Sequence, residues 1–309
     1  MKVVREALAR RVDRLPPETT CFRWIDEELP GVTVELFGDV AIASLYRPAP
    51  VDEEAALAKA LARARPLRAV YVKRRPREAR TSGRALGEVA PTAPVWGEPV
   101  ELLHCREAGA TFEIRPPNGL SVGLYLDARD ARGWVRRHAE GREVLNTFAY
   151  TCGFAVAARR GGATRAVNVD ASRKVLDWGE RNLALNAYAV DRQDFLSGDA
   201  LGWMGRMARR GQRFELVILD PPGFATSKTS RFSAQKDYHR LVAAASSVTR
   251  EGGLVLAMCN VEAMSSADLD AHLRRGVGAR PSRAVARFGA SDVDFRQPST
   301  LKCVALELS

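Results

Sequence analysis

The sequence predicts an α/β protein: a doubly wound, mostly parallel sheet with a smaller α+β domain ahead of it. Three observations predict it. From about residue 143, apolar runs alternate with stretches of helical periodicity, the βαβα pattern of a parallel sheet with crossover helices. Before that region, "CFRWIDEELPGVTVELFGDVAIASLY" breaks at Pro30-Gly31 and Gly38-Asp39, which suggests three short antiparallel strands. At the end, "RAVARFG" and "TLKCVALEL" give two more strands that finish the sheet antiparallel.

Taken in order, residues 1–17 read as a charged surface helix ended by Pro16-Pro17. After the three strands, "VDEEAALAKALARA" has helical spacing and an acidic first turn, which suits the positive end of a helix dipole. "LRAVYVK" is a strand. Residues 74–98 carry Arg, Gly, Pro and Ser with little periodicity and read as a mobile loop. The domain boundary is placed there, giving residues 1–98 and 99–309. Two further strands precede the helix "GLYLDARDARGWVRRHA". Strands then fall near 143–147, 164–169, 189–195, 214–220 and 252–259, and helices near 153–161, 172–186, 199–210, 235–250 and 265–275.

Composition narrows the function. The chain has 309 residues, 47 basic against 37 acidic, and a formal charge of +10, which favours a polyanionic partner, nucleic acid first. An Arg-rich, Ala-rich composition from a GC-rich genome would give the same surplus. No apolar run reaches the roughly 18 residues of a membrane span, and the charged N-terminus lacks the apolar core of a signal peptide. The five cysteines are dispersed and form no C-x-x-C pair, so no metal site is expected and a reducing cytoplasm is.

Two turns carry the chemistry. In "LNTFAYTCGFAVAARRGGATRAVNVD", Thr151, Cys152 and Gly153 follow a strand, and Asp170 ends the next one. Ligands of doubly wound sheets bind at the carboxyl ends of the strands, where an acid can take both ribose hydroxyls. A single glycine in place of G-x-G-x-x-G suits a nucleoside without pyrophosphate, such as S-adenosylmethionine (SAM). In "FELVILDPPGFATSK", the rigid Asp220-Pro221-Pro222 turn presents carbonyl oxygens to a flat base and sets Asp220 near the transferred methyl. Cys259 ends the next strand and points either toward that turn or into the core behind it. His239 reads as a surface histidine, and "YVKRRPREARTSGR" as a solvated run or a phosphate contact.

With these stretches quoted, the chain resembles the bacterial large-subunit rRNA base methyltransferases of class I, Rossmann-like type. "GLYLDARDAR", "LNTFAYTCGF", "VDASRKVLDWGERNLALN", "ILDPPGFATSK" and "EGGLVLAMCN" follow that family's motifs in order. The resemblance implies that Tyr125, Asp127 and Arg129 enclose the cofactor. It implies that Asn146, Phe148, Tyr150 and Gly153 line its methionine part. Asp170 would take the ribose, Asp199 the adenine amino group, and Asp220 to Pro222 the methyl and the base. Cys152 stands where the family often has Gly, which would narrow the loop. Gly223 replaces a larger residue. "VDASRKVLDWGERNLALN" and "AQKDYHRL" look like the guanine-N7 branch, whereas Cys259 looks like the catalytic cysteine of the cytosine-C5 branch.

The reading is therefore a cytoplasmic SAM-dependent methyltransferase of large-subunit rRNA, with guanine N7 ahead of cytosine C5. A protein or small-molecule acceptor is a further alternative, as is an RNA-binding module with a dead site, for which Cys152 would be the first suspect.

Overall fold

A computed structural model describes residues 2–75, 86–226 and 231–309, and it divides into two compact units. The first unit comprises Met1–Leu126 and Ser291–Gln297; the second comprises Asp127–Ala290 and Pro298–Ser309. The boundary drawn from sequence at 98/99 falls inside the first unit, because the hairpin of β6 (Leu103–Glu107) and β7 (Ala110–Ile114) belongs to it.

In the first unit, β1 (Cys21–Leu29), β2 (Val32–Phe37), β3 (Val40–Leu45), β4 (Ala69–Arg74) and β5 (Trp96–Gly97) form one sheet in that order. The pairs are antiparallel except β3 with β4, which are joined by the crossover helix α2 (Val51–Ala64) and run parallel. A core of Val4, Ala7, Trp24, Leu36, Ala58 and Leu61 joins this sheet to α2 and α1 (Lys2–Val12). Trp24 is fully buried and donates its indole N–H to the Val4 carbonyl at 2.9 Å, which satisfies the ring's one polar atom. Leu86–Val89 forms the short α3. Of the loop expected at 74–98, residues 76–85 lie outside the described residues, and the rest holds the end of β4, α3 and β5 rather than loop alone.

At the edge of that loop the structure changes the meaning of the basic run. Lys73 is fully buried, with Nζ donating to the Pro116 carbonyl at 2.8 Å. Burial and the neighbouring Arg75 push its pKa down to about 8. Arg74 forks onto the buried Glu54 carboxylate at 2.7 and 2.6 Å, and Arg75 donates to the Leu120 carbonyl. Of these three cations only Arg74 is neutralised by a carboxylate, whereas Lys73 and Arg75 are held by backbone carbonyls; the rest of the run lies outside the described residues.

In the second unit the chain alternates α4 (Arg129–His138), β8 (Glu143–Thr147), α5 (Gly153–Arg160), β9 (Arg165–Asp170), α6 (Arg173–Leu185), β10 (Phe195–Ser197), α7 (Ala200–Arg209) and β11 (Phe214–Leu219). A small hairpin of β12 (Phe224–Thr226) and β13 (Arg231–Ser233) leads to α8 (Ala234–Val248), β14 (Thr249–Cys259), α9 (Ser266–Val277), β15 (Ser282–Phe288) and β16 (Lys302–Leu308). The seven-stranded sheet has the order β10-β9-β8-β11-β14-β16-β15. Its first five strands are parallel, and β16 and β15 finish it antiparallel, as the sequence predicts. The order reverses between β8 and β11, and that switch point is where such sheets bind ligands.

One strand begins later than its pattern predicts. The segment 189–195 reads as a strand, but β10 begins only at Phe195 and is preceded by a 3-10 turn over Arg192–Asp194. Asp191 accepts the Gln193 N–H at 2.9 Å and nucleates that turn, while Tyr188 lies under the Arg159 guanidinium instead of joining the sheet. Among the described residues, no helix is long and apolar enough to cross a membrane.

Candidate active site

The carboxyl ends of β8, β9, β10, β11 and β14 gather most of the residues singled out in the sequence. The β8–α5 loop has an unusual backbone. Phe148, Tyr150 and Cys152 all have left-handed conformations, with φ of 56°, 47° and 61°. Non-glycine residues adopt these angles at a cost of roughly 1 kcal/mol each and persist there only when their surroundings demand it.

The surroundings can be named. Asp170 accepts the Tyr150 N–H on one carboxylate oxygen and the Ser172 N–H on the other, both at 2.9 Å. The Ala149 N–H binds the Val169 carbonyl at 3.0 Å. From α6, the fully buried Asn182 donates to the Thr151 carbonyl at 2.9 Å. Cys152 is buried against Gly179 of α6, where a Cβ built on the glycine would stand 2.2 Å from the Cys152 sulfur. The cysteine therefore turns into a notch on α6, and the expected narrowing of the ligand loop does not follow from its side chain. Burial first, then Asp170 and Glu180, push its thiol well above the usual range, so it is no nucleophile. Asn182 and Gly179 escaped sequence reading, because a buried Asn and a helical Gly carry no signal until the contact is known.

Asn146 is fully buried one residue before the end of β8 and donates to Asn168 on β9 at 2.9 Å. Its own Oδ1 is buried without a hydrogen-bond partner among the described residues. Asp199 ends the β10 connection and caps α7 by accepting the Gly202 N–H at 2.7 Å. Gly153 is the first residue of α5. Asp127 sits in the 3-10 turn before α4 and accepts a long 3.4 Å bond from Asn260. Arg129 opens α4 and is buried. Tyr125 lies in the first unit, half-exposed, with its hydroxyl 2.6 Å from that of Ser121.

Asp220 follows β11 directly, and Pro221-Pro222 turn the chain away. Burial and the Asp127 carboxylate raise its pKa to about 7, against the pull of Arg132. The turn is tied back by the Ala234 N–H, which donates to the Gly223 carbonyl at 3.0 Å. Gly223 fits here because an added Cβ would meet Val261 at 2.9 Å. Cys259 is buried in the core shared by Leu219, Ala257, Tyr238 and Leu269, with its sulfur 3.4 Å from that of Met264. Of the two directions open to it from sequence, it takes the core. Burial raises its thiol, a backbone N–H bond from Val261 and the nearby Lys302 lower it, and Asp220 adds a raising contribution.

The family model of S-adenosylmethionine-dependent methyltransferases matches residues 21–284. The chain belongs to that family. Among curated proteins the methyltransferase is 33% identical over 229 residues to ribosomal RNA large subunit methyltransferase I of Escherichia coli (strain SMS-3-5 / SECEC). The match covers 74% of this chain but only 57% of the relative's length. Among solved structures, SMU.776 complexed with SAH superposes with a TM-score of 0.88 at 23% identity, covering 99% of this chain and 80% of that one. The SAM-dependent methyltransferase from Agrobacterium tumefaciens gives 0.66 at 18%, covering 94% and 90%. Both likenesses show the fold.

The cofactor fits the residues present. SAM carries a sulfonium cation on a nucleoside, and the strand ends offer carboxylates from Asp170, Asp199 and Asp220, with Asp127 close to Asp220. A carboxylate has about four acceptor sites, so Asp170 keeps room for ribose hydroxyls after holding two backbone N–H groups.

Proposed function

We propose that this methyltransferase modifies a base of large-subunit rRNA in a reducing, cytoplasmic compartment. The observation that carries it is the Asp220-Pro221-Pro222 turn at the switch point, in a chain one-third identical to a large-subunit rRNA methyltransferase. SAM supplies an activated methyl group on a good leaving group, so the protein mainly orients and excludes water. Asp170 holds the ribose, Asp199 takes the adenine amino group, and Phe148, Tyr150 and Gly153 line the methionine part. Asp127 and Arg129 close the cofactor's flank. Asn146 acts through Asn168 from inside the sheet. Pro221 and Pro222 offer backbone oxygens to the acceptor base, and Asp220 lies beside the methyl.

Guanine N7 is the acceptor that the geometry supports best. Its lone pair attacks without losing a proton, and Cys259 is packed into the α8-side core with a raised thiol. One observation favours cytosine C5 as a second reading. C5 chemistry needs a thiolate at C6 and an acid at N3. Asp220, held at about 7, is poised to give that proton, and Val261 and Lys302 both favour a thiolate on Cys259.

Cys259→Ala separates the two. For guanine N7 the variant keeps activity within about tenfold, the loss being packing of order 1 kcal/mol. For cytosine C5 it is dead while still folding and binding SAM, and wild type forms a covalent adduct with RNA carrying 5-fluorocytosine at the target. If the wild-type protein transfers no methyl to large-subunit rRNA, from subunits or extracted RNA, the rRNA reading fails altogether.

A further inference from the structure

Beside the acceptor end of β14, between the start of α8 and α9, lies a cavity of about 370 Å³ lined by Gln235, Ala263, Met264, Asp268, His272 and Arg275. We propose that it is an RNA subsite that holds a nucleotide flanking the acceptor, with its base on the His272 ring and its phosphate on Arg275. The inference rests on the rRNA reading and adds to it a place for a neighbouring nucleotide.

Position is the first support. Met264 lines the cavity and also touches Cys259, its sulfur 3.4 Å from the cysteine's. The cavity is thus one side chain away from the end of β14, and β14 pairs directly with β11, which Asp220 follows. A nucleotide next to the acceptor in sequence has to lie within such a step.

Chemistry is the second. His272 is held at both ring nitrogens: the His239 N–H donates to Nδ1 at 3.3 Å, and Nε2 donates to the Gln235 carbonyl at 3.0 Å. Those bonds fix the orientation of the ring. Its ring lies parallel to that of His239, with centroids 5.6 Å apart and planes 14° apart. Burial, Arg275 and His272 keep the His239 pKa below its ordinary value, so two cations do not face each other there. A flat ring held in place is a stacking platform that every base can use.

Charge is the third. The cavity holds one acid and one arginine. The Asp268 carboxylate is already engaged by the Ser265 N–H at 2.9 Å and hydroxyl at 2.6 Å in a capping box, which lowers its pKa. Arg275 is exposed and makes no ion pair among the described residues. It is therefore the cation left over for a phosphate.

Rigidity is the fourth. At Gly276 an added Cβ would stand 2.4 Å from Val242 and 2.7 Å from the His239 carbonyl, so α9 sits tightly on α8 and the wall is fixed.

The test is fluorescence anisotropy with a labelled single-stranded RNA 12-mer of mixed sequence, added to full-length protein saturated with SAH, at several salt concentrations. Arg275→Glu is expected to weaken binding about tenfold and to reduce the salt slope by about one phosphate contact. His272→Ala should weaken binding about tenfold, a typical loss for one stacked base, and His272→Phe should recover most of it. Thermal melts and SAM affinity should match wild type in all three. Unchanged RNA affinity and salt slope in both Arg275→Glu and His272→Ala overturn the subsite, even if wild type methylates rRNA. A wild-type protein that ignores the 12-mer overturns it too. A subsite that binds RNA as described in an enzyme that leaves large-subunit rRNA unmethylated would sink the rRNA reading alone. Should an acidic peptide compete for Arg275 while the RNA does not, the occupant is a protein and the proposal falls.

Discussion

The two ends of the catalytic sheet that meet at the switch point are built on opposite principles. At β8 and β9 the loop is held by internal partners: Asp170 holds two backbone N–H groups, Asn182 holds a loop carbonyl, and Asn146 donates to Asn168, its own Oδ1 being the buried acceptor left over among the described residues. The strained backbone there is clamped from behind before any ligand arrives. At β11 and β14 the balance is incomplete. Asp220 is half-buried near the Asp127 carboxylate, and desolvation with that neighbour raises its pKa to about 7, while Cys259 is tucked away behind. On the reading proposed above, the cofactor end is preorganised, whereas at the acceptor end two carboxylates, Asp220 and Asp127, face Arg132, and a sulfonium there would add positive charge. Preorganisation limits what binding has to order; attraction to carboxylates makes binding selective for the cation.

The strongest way to break this contrast is Asp170→Ala. The substitution removes two anchors of the strained loop as well as the proposed ribose contact. Hydrogen bonds to a charged group are worth roughly 1.5–3 kcal/mol each, so SAM binding should weaken at least about a hundredfold. Calorimetry on the folded variant checks it. An affinity within threefold of wild type would mean that the loop is not the cofactor cradle.

Gly179→Ala attacks the same clamp from α6. The new Cβ would fall 2.2 Å from the Cys152 sulfur and 2.8 Å from its Cβ, so the loop or the helix has to move. Overpacking of this kind costs about 1–3 kcal/mol of stability, which urea denaturation would register. Adding Cys152→Gly should restore most of the loss, because it empties the notch. If the double variant is no more stable than Gly179→Ala, the two residues are not coupled as the packing implies.

The acceptor end is tested by pH. A cation beside Asp220 favours the ionised carboxylate, so SAM binding releases a proton where the free group, at about 7, still holds one. The preference for SAM over SAH, which lacks the charge, should rise several-fold between about pH 6 and pH 8. Asp220→Asn should flatten it. Stability carries the matching sign. The folded pKa of about 7 lies above the ordinary 3.8, so the folded state keeps a proton that the unfolded chain loses. Unfolding free energy should fall as pH rises through that window, and less so in Asp220→Asn. A ratio of SAM to SAH affinity that does not move with pH would separate Asp220 from the sulfonium.

Much of this was legible in the sequence, for definable reasons. Strands β8, β9, β11 and β14 are buried apolar runs, and the crossover helices between them repeat at 3.6 residues, so both periods are written locally. The carboxylates at strand ends follow from topology alone. What escaped depends on contacts distant in sequence. The basic run around Lys73 reads from sequence as a solvated run or a phosphate contact, and no local pattern shows that Glu54 and the carbonyls of Pro116 and Leu120 bind its first three cations. The domain boundary was drawn at a change of composition, whereas the chain itself returns at Ser291–Gln297 to the first unit, where the fully buried Asp294 accepts the Arg23 N–H at 2.9 Å. The direction of Cys152 could not be read, because only the glycine at 179 makes room for it.

That last point gives the finest test, and the smallest expected effect. If Cys152 narrowed the ligand loop, Cys152→Gly would open it and change SAM affinity. The structure puts the side chain in the α6 notch, away from the ligand side, so affinity should stay within about threefold, less than 1 kcal/mol. Stability should also change little, since two terms oppose each other. Glycine relieves the left-handed strain at φ 61°, worth about 1 kcal/mol. It also empties a buried site of a small apolar side chain, a loss of about the same size. A net change within about 1 kcal/mol in urea denaturation, with SAM affinity unmoved, fits a cysteine that serves as packing for the clamp. A tenfold gain or loss in SAM affinity would place the residue on the ligand side after all, and would put the preorganised end of the sheet in need of another explanation.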